Sequence, residues 1–493
     1  MNLARLGEDS VQRYGEYVSL VFDGVEWTNV AQQRAGNRFA HALGRLGVRA
    51  GDRVLVLLPN CPEVLQAYAG ILKAGAVIVP AVFLLGPVEV RHILEDAGAK
   101  VAVTAPEFVD KLGGWAGPVV LVGAGARGPS WADVIAGEPD TFTTVERADR
   151  DLAVILYTSG TTGRPKGVAL SHDNLASNAR AAASLYELDR TRWSLQVLPL
   201  SHSYGLTVMN AGNILGTRGV LLRWFNPEGV LDSIQRYRVE SMSAVPTMLL
   251  YLLHYPDAER FDTSSMRVWG SGAAPLPLEI VEPFEKKFGG RIQEGYGLTE
   301  ASPVVSAHRL SGVRKLGSVG QPIPGVEVAI LDDTDRPLPV DELGEICVRG
   351  PNVMQGYYGL PEETAQTLRN GWLHTGDMGR LDADGFLFIV ERKKDLIIRG
   401  GFNIYPREVE EVLYAHPAVA EAAVVGMRDP MLGEDVLAFV TLKPGASADA
   451  ATLIAFCQDR LAKYKCPKQV RFLDALPKTP IGKILKKELR GLA

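Results

Sequence analysis

The segment Tyr157–Gly167, with the sequence YTSGTTGRPKG, joins two apolar runs through small and hydroxylated residues. The runs Leu152–Leu156 and Val168–Leu170 predict two strands, so the segment between them predicts a tight loop. Its hydroxyl groups, glycines and lysine offer O–H donors, backbone N–H groups and a cation to a polyphosphate, because glycine lets the backbone approach a ligand closely. We interpret this loop as a nucleotide-binding candidate.

Two other kinds of loop share parts of this pattern. A cluster of Gly, Ser, Thr and Pro also fits an ordinary turn. The P-loop of GTPases and kinases needs G-x-x-x-x-G-K-[ST] at the start of a helix, whereas Lys166 is flanked by Pro165 and Gly167. The string instead resembles the phosphate-binding signature of the adenylate-forming superfamily, which includes acyl-CoA synthetases, peptide-synthetase adenylation domains and firefly luciferases. The resemblance implies that ATP contacts Thr158, Ser159, Gly160, Thr161, Thr162, Gly163 and Lys166.

Composition limits the class of protein. The 493 residues exceed one ordinary core, and the apolar fraction of 46% and charged fraction of 22% are typical of globular proteins. No apolar run approaches the roughly 20 residues of a membrane span, and the start lacks a signal-peptide core, so we expect a cytoplasmic protein without an integral membrane segment. Four scattered cysteines indicate neither disulfides nor a zinc site. The net charge of −5 argues against nucleic acid as a partner.

The order of strand-like and helix-like segments predicts the fold. Residues 53–104 alternate between the two types, which indicates βαβ units and parallel sheets with helices on both faces. From about residue 317 the chain changes to short β-like pieces, and a charge cluster at Glu391–Asp395 is typical of a linker. We predict an α/β protein with a large N-terminal domain of doubly wound sheets at 1–391, including a β-rich subdomain at about 317–391. A hinge at 392–395 then leads to a small, mobile α+β domain at 396–493.

Two motifs downstream resemble the adenosine and magnesium motifs of the same superfamily. The segment Trp269–Pro275, WGSGAAP, has small residues against which a flat base could lie, and Gln293–Glu300 reads QEGYGLTE. The resemblance implies a Tyr296 ring stacked on adenine, a Thr299 hydroxyl at the α-phosphate and a Glu300 carboxylate that binds Mg²⁺. The implied nucleotide-binding residues here are Gly272, Ala273, Ala274, Glu294, Gly295, Tyr296 and Gly297.

Further motifs extend the resemblance to the C-terminus. Asp377, in WLHTGD, corresponds to the aspartate that binds the ribose hydroxyls, Arg392 to an arginine at the ribose or phosphates, and Lys394 to the hinge. Lys483, in PKTPIGKI, corresponds to the catalytic lysine that bridges the acid carboxylate and the α-phosphate. The loop containing Gly400 and Gly401 resembles the one that forms the pantetheine tunnel for coenzyme A after the small domain rotates.

The acid-binding region is predicted from a motif before residue 206. His202, in PLSHSYG, corresponds to the residue that lines the carboxylate end of the acyl pocket. Amino-acid-activating relatives carry an aspartate in this motif, and none occurs at 198–206, so an amino acid substrate is disfavoured. The regions Leu206–Leu215 and Ser241–Leu253 are largely apolar and contain no Lys or Arg for a second carboxylate.

These features predict an acyl-CoA synthetase. It would use ATP and Mg²⁺ to convert a small carboxylic acid, preferably a medium- or long-chain fatty acid, to an acyl-adenylate, and then transfer the acyl group to coenzyme A. An aryl or alicyclic acid, a carrier protein as acceptor and a luciferase-like oxygenase remain open, as does a homodimer. A catalytically silent nucleotide-binding protein is disfavoured, because Lys483 and Glu300 are both present.

Overall fold

The structure is a computed structural model that describes residues 1–158, 165–185, 189–479 and 482–493. Its α-helices in this part of the chain are α1 (Arg5–Tyr14), α2 (Asn29–Arg45), α3 (Pro62–Lys73), α4 (Pro87–Asp96), α5 (Trp131–Ile135), α6 (His172–Ala183), α7 (Ser203–Leu215), α8 (Pro227–Tyr237), α9 (Pro246–Leu253), α10 (Val281–Phe288), α11 (Pro361–Thr367), α12 (Pro406–Tyr414), α13 (Ala450–Gln458) and α14 (Lys486–Gly491). Several begin with proline, which fits the first helical position because its missing N–H would be unsatisfied there anyway. None of these helices is long and apolar enough to cross a membrane.

The strands of the described residues form four sheets. They are β1 (Val18–Phe22), β2 (Val25–Thr28), β3 (Arg53–Leu57), β4 (Val77–Pro80), β5 (Val101–Thr104), β6 (Val119–Leu121), β7 (Leu152–Thr158), β8 (Lys166–Ser171), β9 (Trp193–Gln196), β10 (Arg218–Leu221), β11 (Val239–Ala244), β12 (Val268–Ser271), β13 (Arg291–Gly297), β14 (Val304–Ala307), β15 (Gln321–Pro322), β16 (Glu327–Leu331), β17 (Gly344–Arg349), β18 (Gly356–Tyr357), β19 (Leu368–Arg369), β20 (Trp372–Leu381), β21 (Leu387–Arg392), β22 (Ile397–Arg399), β23 (Phe402–Ile404), β24 (Val419–Asp429), β25 (Gly433–Leu442) and β26 (Gln469–Phe472).

Two large sheets form the N-terminal part. The first sheet has nine strands in the order β15-β14-β13-β12-β11-β9-β10-β1-β2, and its central neighbours from β13 to β1 pair in parallel. The second sheet has seven strands in the order β18-β8-β7-β4-β3-β5-β6. Their strands are mostly buried apolar residues, as expected for sheets covered on both faces. The predicted α/β architecture is confirmed.

Two smaller sheets follow. The third sheet contains β16, β17, β19, β20 and β21, all paired antiparallel, and corresponds to the predicted β-rich subdomain. The fourth sheet, built around the long antiparallel pair β24 and β25, packs with α12 and α13 into the C-terminal α+β unit. Helix α13 ends at Gln458. The N–H groups of Arg460 and Leu461 both turn back to the Cys457 carbonyl, which ends the helical ladder.

Candidate active site

Parallel strands of the first sheet end at a common edge, and most of the predicted site follows those ends. Strands β9, β11, β12 and β13 are parallel neighbours. The chain beyond them carries His202 after β9, Thr247 after β11, Gly272 after β12 and Thr299 after β13. In open α/β sheets the carboxyl ends of the strands form the ligand crevice.

The predicted phosphate loop connects two paired strands of the second sheet. Strands β7 and β8 form an antiparallel hairpin in which Thr158 pairs with Lys166. Residues Ser159, Gly160, Thr161, Thr162 and Gly163 lie outside the described residues. The Lys166 ammonium forms an ion pair with Glu363 and lies 5.2 Å from the centre of the Tyr357 ring. The base of the loop thus carries a cation held by a carboxylate and an aromatic face.

The turn Thr299–Ala301 follows β13 and brings the predicted metal ligand to the same tyrosine, Tyr357. The Tyr357 hydroxyl donates a 2.9 Å hydrogen bond to Glu300 Oε1. The Met354 N–H donates to the Glu300 carbonyl at 2.8 Å, and the Thr299 hydroxyl lies 3.4 Å from the Ser203 hydroxyl at the start of α7. Glu300 Oε2 has no hydrogen-bond partner among the residues that the structure describes, so one hard oxygen is left for a ligand such as Mg²⁺.

The predicted adenine wall lies where β12 ends beside β13. Ser271 pairs with Glu294, and Gly272 follows with its N–H bonded to the Ala244 carbonyl at 3.2 Å. A Cβ on Gly272 would lie 3.3 Å from the Tyr204 ring and 3.4 Å from the Gly295 carbonyl, so glycine suits this narrow place. Ala273 and Ala274, both half-buried, continue the segment away from the strand. Burial raises the pKa of Glu294 to about 7.

A triad of two buried side chains and one half-exposed arginine joins β13 to the third sheet. The Tyr296 hydroxyl donates a 2.6 Å hydrogen bond to Asp377 Oδ2, and Arg392 Nε lies 3.2 Å from Asp377 Oδ1. Burial and the Asp377 charge raise the pKa of Tyr296 well above its ordinary value, so this phenol stays a donor. The sequence pointed to the ring of Tyr296. The structure adds that its hydroxyl orients Asp377, the predicted ribose ligand.

A cluster around Glu345, which the sequence did not indicate, contacts the backbone next to Asp377. Glu345 Oε1 accepts from the Gly376 N–H at 3.0 Å, while Oε2 lies 3.5 Å from Lys393 Nζ. Cys347 Sγ and Glu345 Oε2 lie 3.3 Å and 3.4 Å from His374 Nδ1, a donor set that could hold a metal ion. Because the Lys393 ammonium and the Arg369 guanidinium both lie within ion-pair distance of Glu345, we interpret the cluster as a structural network. No local sequence signal distinguished Glu345 from other strand residues.

The C-terminal loop brings Lys483 into the same region. The Thr247 hydroxyl at the start of α9 donates to the Gly482 carbonyl at 2.8 Å, and the Lys483 N–H donates to the Thr479 hydroxyl at 3.0 Å. Burial, together with the charges of Arg392 and Lys394, lowers the pKa of Lys483 to about 8, although Asp377 opposes this. The ammonium makes no hydrogen bond or ion pair with the described part of the chain, so it remains available to an anion.

His202 lies at the start of α7. Its Nδ1 accepts a 3.2 Å hydrogen bond from the Tyr204 N–H. Burial and the nearby Lys483 charge lower the pKa of His202 to about 4. The imidazole is therefore neutral at pH 7 and, because Nδ1 accepts, its proton lies on Nε2. His202 Nε2–H is thus a neutral donor close enough to Lys483 to be affected by its charge.

The residues predicted for the hinge and for coenzyme A lie in the turns on either side of β22, and the Lys394 charge reaches Lys483 from the first of these turns. Lys394 is exposed in the turn Lys393–Asp395, between β21 and β22. Gly400 and Gly401 form the exposed turn of the β22–β23 hairpin, with φ of +57° and +84°, where glycine is favoured. A Cβ on Gly401 would meet nothing within 4 Å. Lys483 therefore lies among the predicted nucleotide-binding residues, whereas the turn at Gly400 and Gly401 is exposed to solvent.

We expect the lowered pKa of Lys483 to appear in the pH dependence of catalysis. A protonated Lys483 attracts the two anions, so kcat/KM for adenylate formation should fall about tenfold per pH unit above pH about 8. The measurement is the initial rate of pyrophosphate release at low acid concentration. Lys483→Arg is the control, because a guanidinium stays protonated throughout this range. An identical alkaline decline in both proteins would contradict the assignment.

Comparison with known proteins matches this geometry to a family. Residues 7–358 match the family model described as AMP-binding enzyme, and residues 408–483 match the AMP-binding enzyme C-terminal domain. The chain is 40% identical to a long-chain-fatty-acid–CoA ligase of Bacillus subtilis (strain 168), over 98% of this chain and 92% of that protein. It is 39% identical to a feruloyl-CoA synthase of Amycolatopsis sp, over 95% and 94%. The crystal structure of ATP-bound MatB from Rhodopseudomonas palustris superimposes with a TM-score of 0.94 at 34% identity, over 100% of this chain and 99% of that one.

Proposed function

We propose that this chain, which belongs to the AMP-binding enzyme family and is an AMP-forming acid–CoA ligase, activates an apolar carboxylic acid, preferably a medium- or long-chain fatty acid. In the first half-reaction a carboxylate oxygen attacks the α-phosphorus of ATP and pyrophosphate leaves. In the second, the coenzyme A sulfur attacks the acyl carbonyl, which forms the thioester and expels AMP.

The described side chains suit the first half-reaction. Lys483 would lie between the carboxylate and the α-phosphate, which lowers the repulsion between two approaching anions. The His202 Nε2–H would orient the carboxylate, and Asp377, held by Tyr296 and Arg392, would accept from the ribose hydroxyls. Glu300, with one free oxygen, would hold Mg²⁺, which neutralises phosphate charge when bound. Lys166 would contact the outer phosphates.

The observation that carries the choice of an apolar acid is the packing around Tyr204 and Ala273. Both are partly buried and pack against an apolar cluster that includes Met242, Ala244 and Val245. The hydrocarbon chain of the acid would therefore extend from the carboxylate site along apolar side chains, between α7 and the ends of β11 and β12. Burial of hydrocarbon there would provide the binding free energy.

Acid selectivity tests this proposal. Each methylene that the pocket buries should stabilise binding by about 0.8 kcal/mol, which is roughly fourfold in affinity. We expect kcat/KM to rise along a series of straight-chain acids and to level off where the pocket ends. The measurement is pyrophosphate release over aliphatic, aryl and dicarboxylic acids, with and without coenzyme A. A flat profile, or a preference for malonate over octanoate, would contradict an apolar pocket.

An aryl acid is the second candidate, because the feruloyl-CoA synthase and the 2-succinylbenzoate–CoA ligase to which this chain is similar are named for aromatic acids. In the same screen, turnover of a cinnamate-type acid above every aliphatic acid would favour this alternative. A carrier protein tested in place of coenzyme A would identify the acceptor.

A further inference from the structure

We propose that Tyr357 is a positioning residue for the triphosphate site. It orients the Glu300 carboxylate and holds the Lys166 ammonium. The inference rests on the proposed function, because it concerns the ATP-dependent half-reaction. Tyr357 lies outside the motifs that predicted the site, in the sequence GYYGLPEET. Its position is nevertheless central, since it contacts both the predicted metal ligand and the lysine of the phosphate loop.

The backbone around Tyr357 fixes the ring beside the phosphate loop. Strand β18 pairs antiparallel with β8, and Tyr357 lies opposite Val168, two residues after Lys166. The Tyr357 N–H donates to the Thr364 hydroxyl at 2.9 Å, and the Tyr358 N–H donates to the Gly167 carbonyl at 2.7 Å. The segment is thus hydrogen-bonded to the strand that begins where the loop ends.

The hydroxyl of Tyr357 gives the Glu300 carboxylate a defined orientation. It donates to Oε1 at 2.9 Å and leaves Oε2 without a partner among the described residues. The phenol is the donor in this contact, because an ionised carboxylate can only accept a hydrogen bond. A hydrogen bond from a fixed donor orients a metal ligand in the way that supporting residues do at metal sites.

The ring of Tyr357 interacts with the Lys166 ammonium. Lys166 Nζ lies 5.2 Å from the ring centre, within the range of a cation–π interaction. The Lys166 side chain is only 17% exposed, so its ammonium is held close to the ring rather than extended into solvent. The two interactions use different parts of one side chain, and substitution can separate them.

Tyr357→Phe removes the hydroxyl and keeps the ring. We expect the Mg²⁺ requirement of adenylate formation to rise about tenfold, because a hydrogen bond to a charged group is lost. Calorimetric titration of Mg²⁺ into the enzyme with a non-hydrolysable ATP analogue should show the same weakening. The metal-free affinity for the analogue should stay within about twofold of wild type. Tyr357→Leu should also weaken that metal-free affinity, because the ring is lost.

Matched variants decide between positioning and a general structural role. Tyr358→Phe removes a neighbouring hydroxyl that makes no hydrogen bond to Glu300 or Lys166 in the described part of the chain, and it should match wild type in both titrations. Thioester formation from supplied acyl-adenylate should be unchanged in Tyr357→Phe, and its melting temperature should stay near that of Tyr358→Phe. Equal losses in both half-reactions, or wild-type Mg²⁺ binding in Tyr357→Phe, would overturn the inference.

Glu300→Gln separates failure of this inference from failure of the proposed function. This substitution keeps the size of the side chain but removes its charge, so the Mg²⁺ requirement should rise at least as much as in Tyr357→Phe. The double variant should be no worse than Glu300→Gln, since Tyr357 acts on the metal through that carboxylate. If Glu300→Gln bound Mg²⁺ like wild type, the proposed metal ligand would be wrong and the inference with it. If Glu300→Gln weakened Mg²⁺ binding but Tyr357→Phe did not, only the inference would be wrong.

Discussion

Replacing Lys483 by alanine is expected to lower the rate of acyl-adenylate formation by about 10³-fold, the scale on which removal of one preorganised charged or hydrogen-bonding group slows a reaction. The carboxylate and the α-phosphate are both anionic, and the Lys483 ammonium, which has no hydrogen bond or ion pair within the described residues, lies in the electrostatic range of Asp377 and Arg392. Single-turnover measurement of pyrophosphate release, with acid and ATP saturating, gives the loss directly.

The same variant should leave the second half-reaction largely intact. Thioester formation from supplied acyl-adenylate does not bring two anions together, so its rate should stay within about threefold of wild type. Lys487→Ala is the matched control, because Lys487 is an exposed lysine of α14 four residues further along. Equal loss of both half-reactions in a folded Lys483→Ala protein would show that the lysine has a structural role.

Replacing Lys394 by proline is expected to have the opposite effect, in which adenylate formation is retained and thioester formation is lost. Proline fixes φ near −65° and stiffens the linker, although the first turn of a short helix such as Lys393–Asp395 accepts it. Adenylate formation should persist, because Lys483 already lies with Asp377 and Arg392 in this arrangement. Thioester formation should fall by about 10²-fold or more, because the turn at Gly400 and Gly401 would have to rotate toward the adenylate.

The control for this prediction is Lys394→Ala, which removes the charge and keeps backbone freedom. Single-turnover assays of both half-reactions, with thioester detected by chromatography, compare the two variants. We expect Lys394→Ala to retain thioester formation within about fivefold of wild type. Equal behaviour of the proline and alanine variants would mean that the linker does not need to rotate at this position.

The sequence predicted the parts of the fold that depend on local pattern. The apolar runs around Tyr157–Gly167 are strands β7 and β8, and the alternating segments of residues 53–104 are the strands and helices from β3 to β5. Such features need only neighbouring residues, so the period of apolar residues is enough to find them. The family was also within reach, because its motifs are contiguous strings.

Contacts between distant segments were not predictable in this way. The bond from Tyr296 to Asp377 spans 81 positions and the bond from Tyr357 to Glu300 spans 57, and each depends on how sheets pack. Glu345 looked like an ordinary strand residue, yet it holds the Gly376 N–H behind Asp377. A motif identifies side chains that face the substrate, whereas the side chains that hold them come from elsewhere in the chain.

The ion pair between Lys166 and Glu363 has a consequence for nucleotide discrimination. The Glu363 carboxylate already neutralises the Lys166 cation. A phosphate that binds there therefore adds only the difference between its own interaction energy with Lys166 and that of Glu363. If Lys166 contacts the outer phosphates as proposed, a triphosphate would bring enough negative charge to displace Glu363, whereas the single phosphate of AMP would bring much less. Glu363 would then favour the binding of ATP at the start of the cycle and the release of AMP at its end.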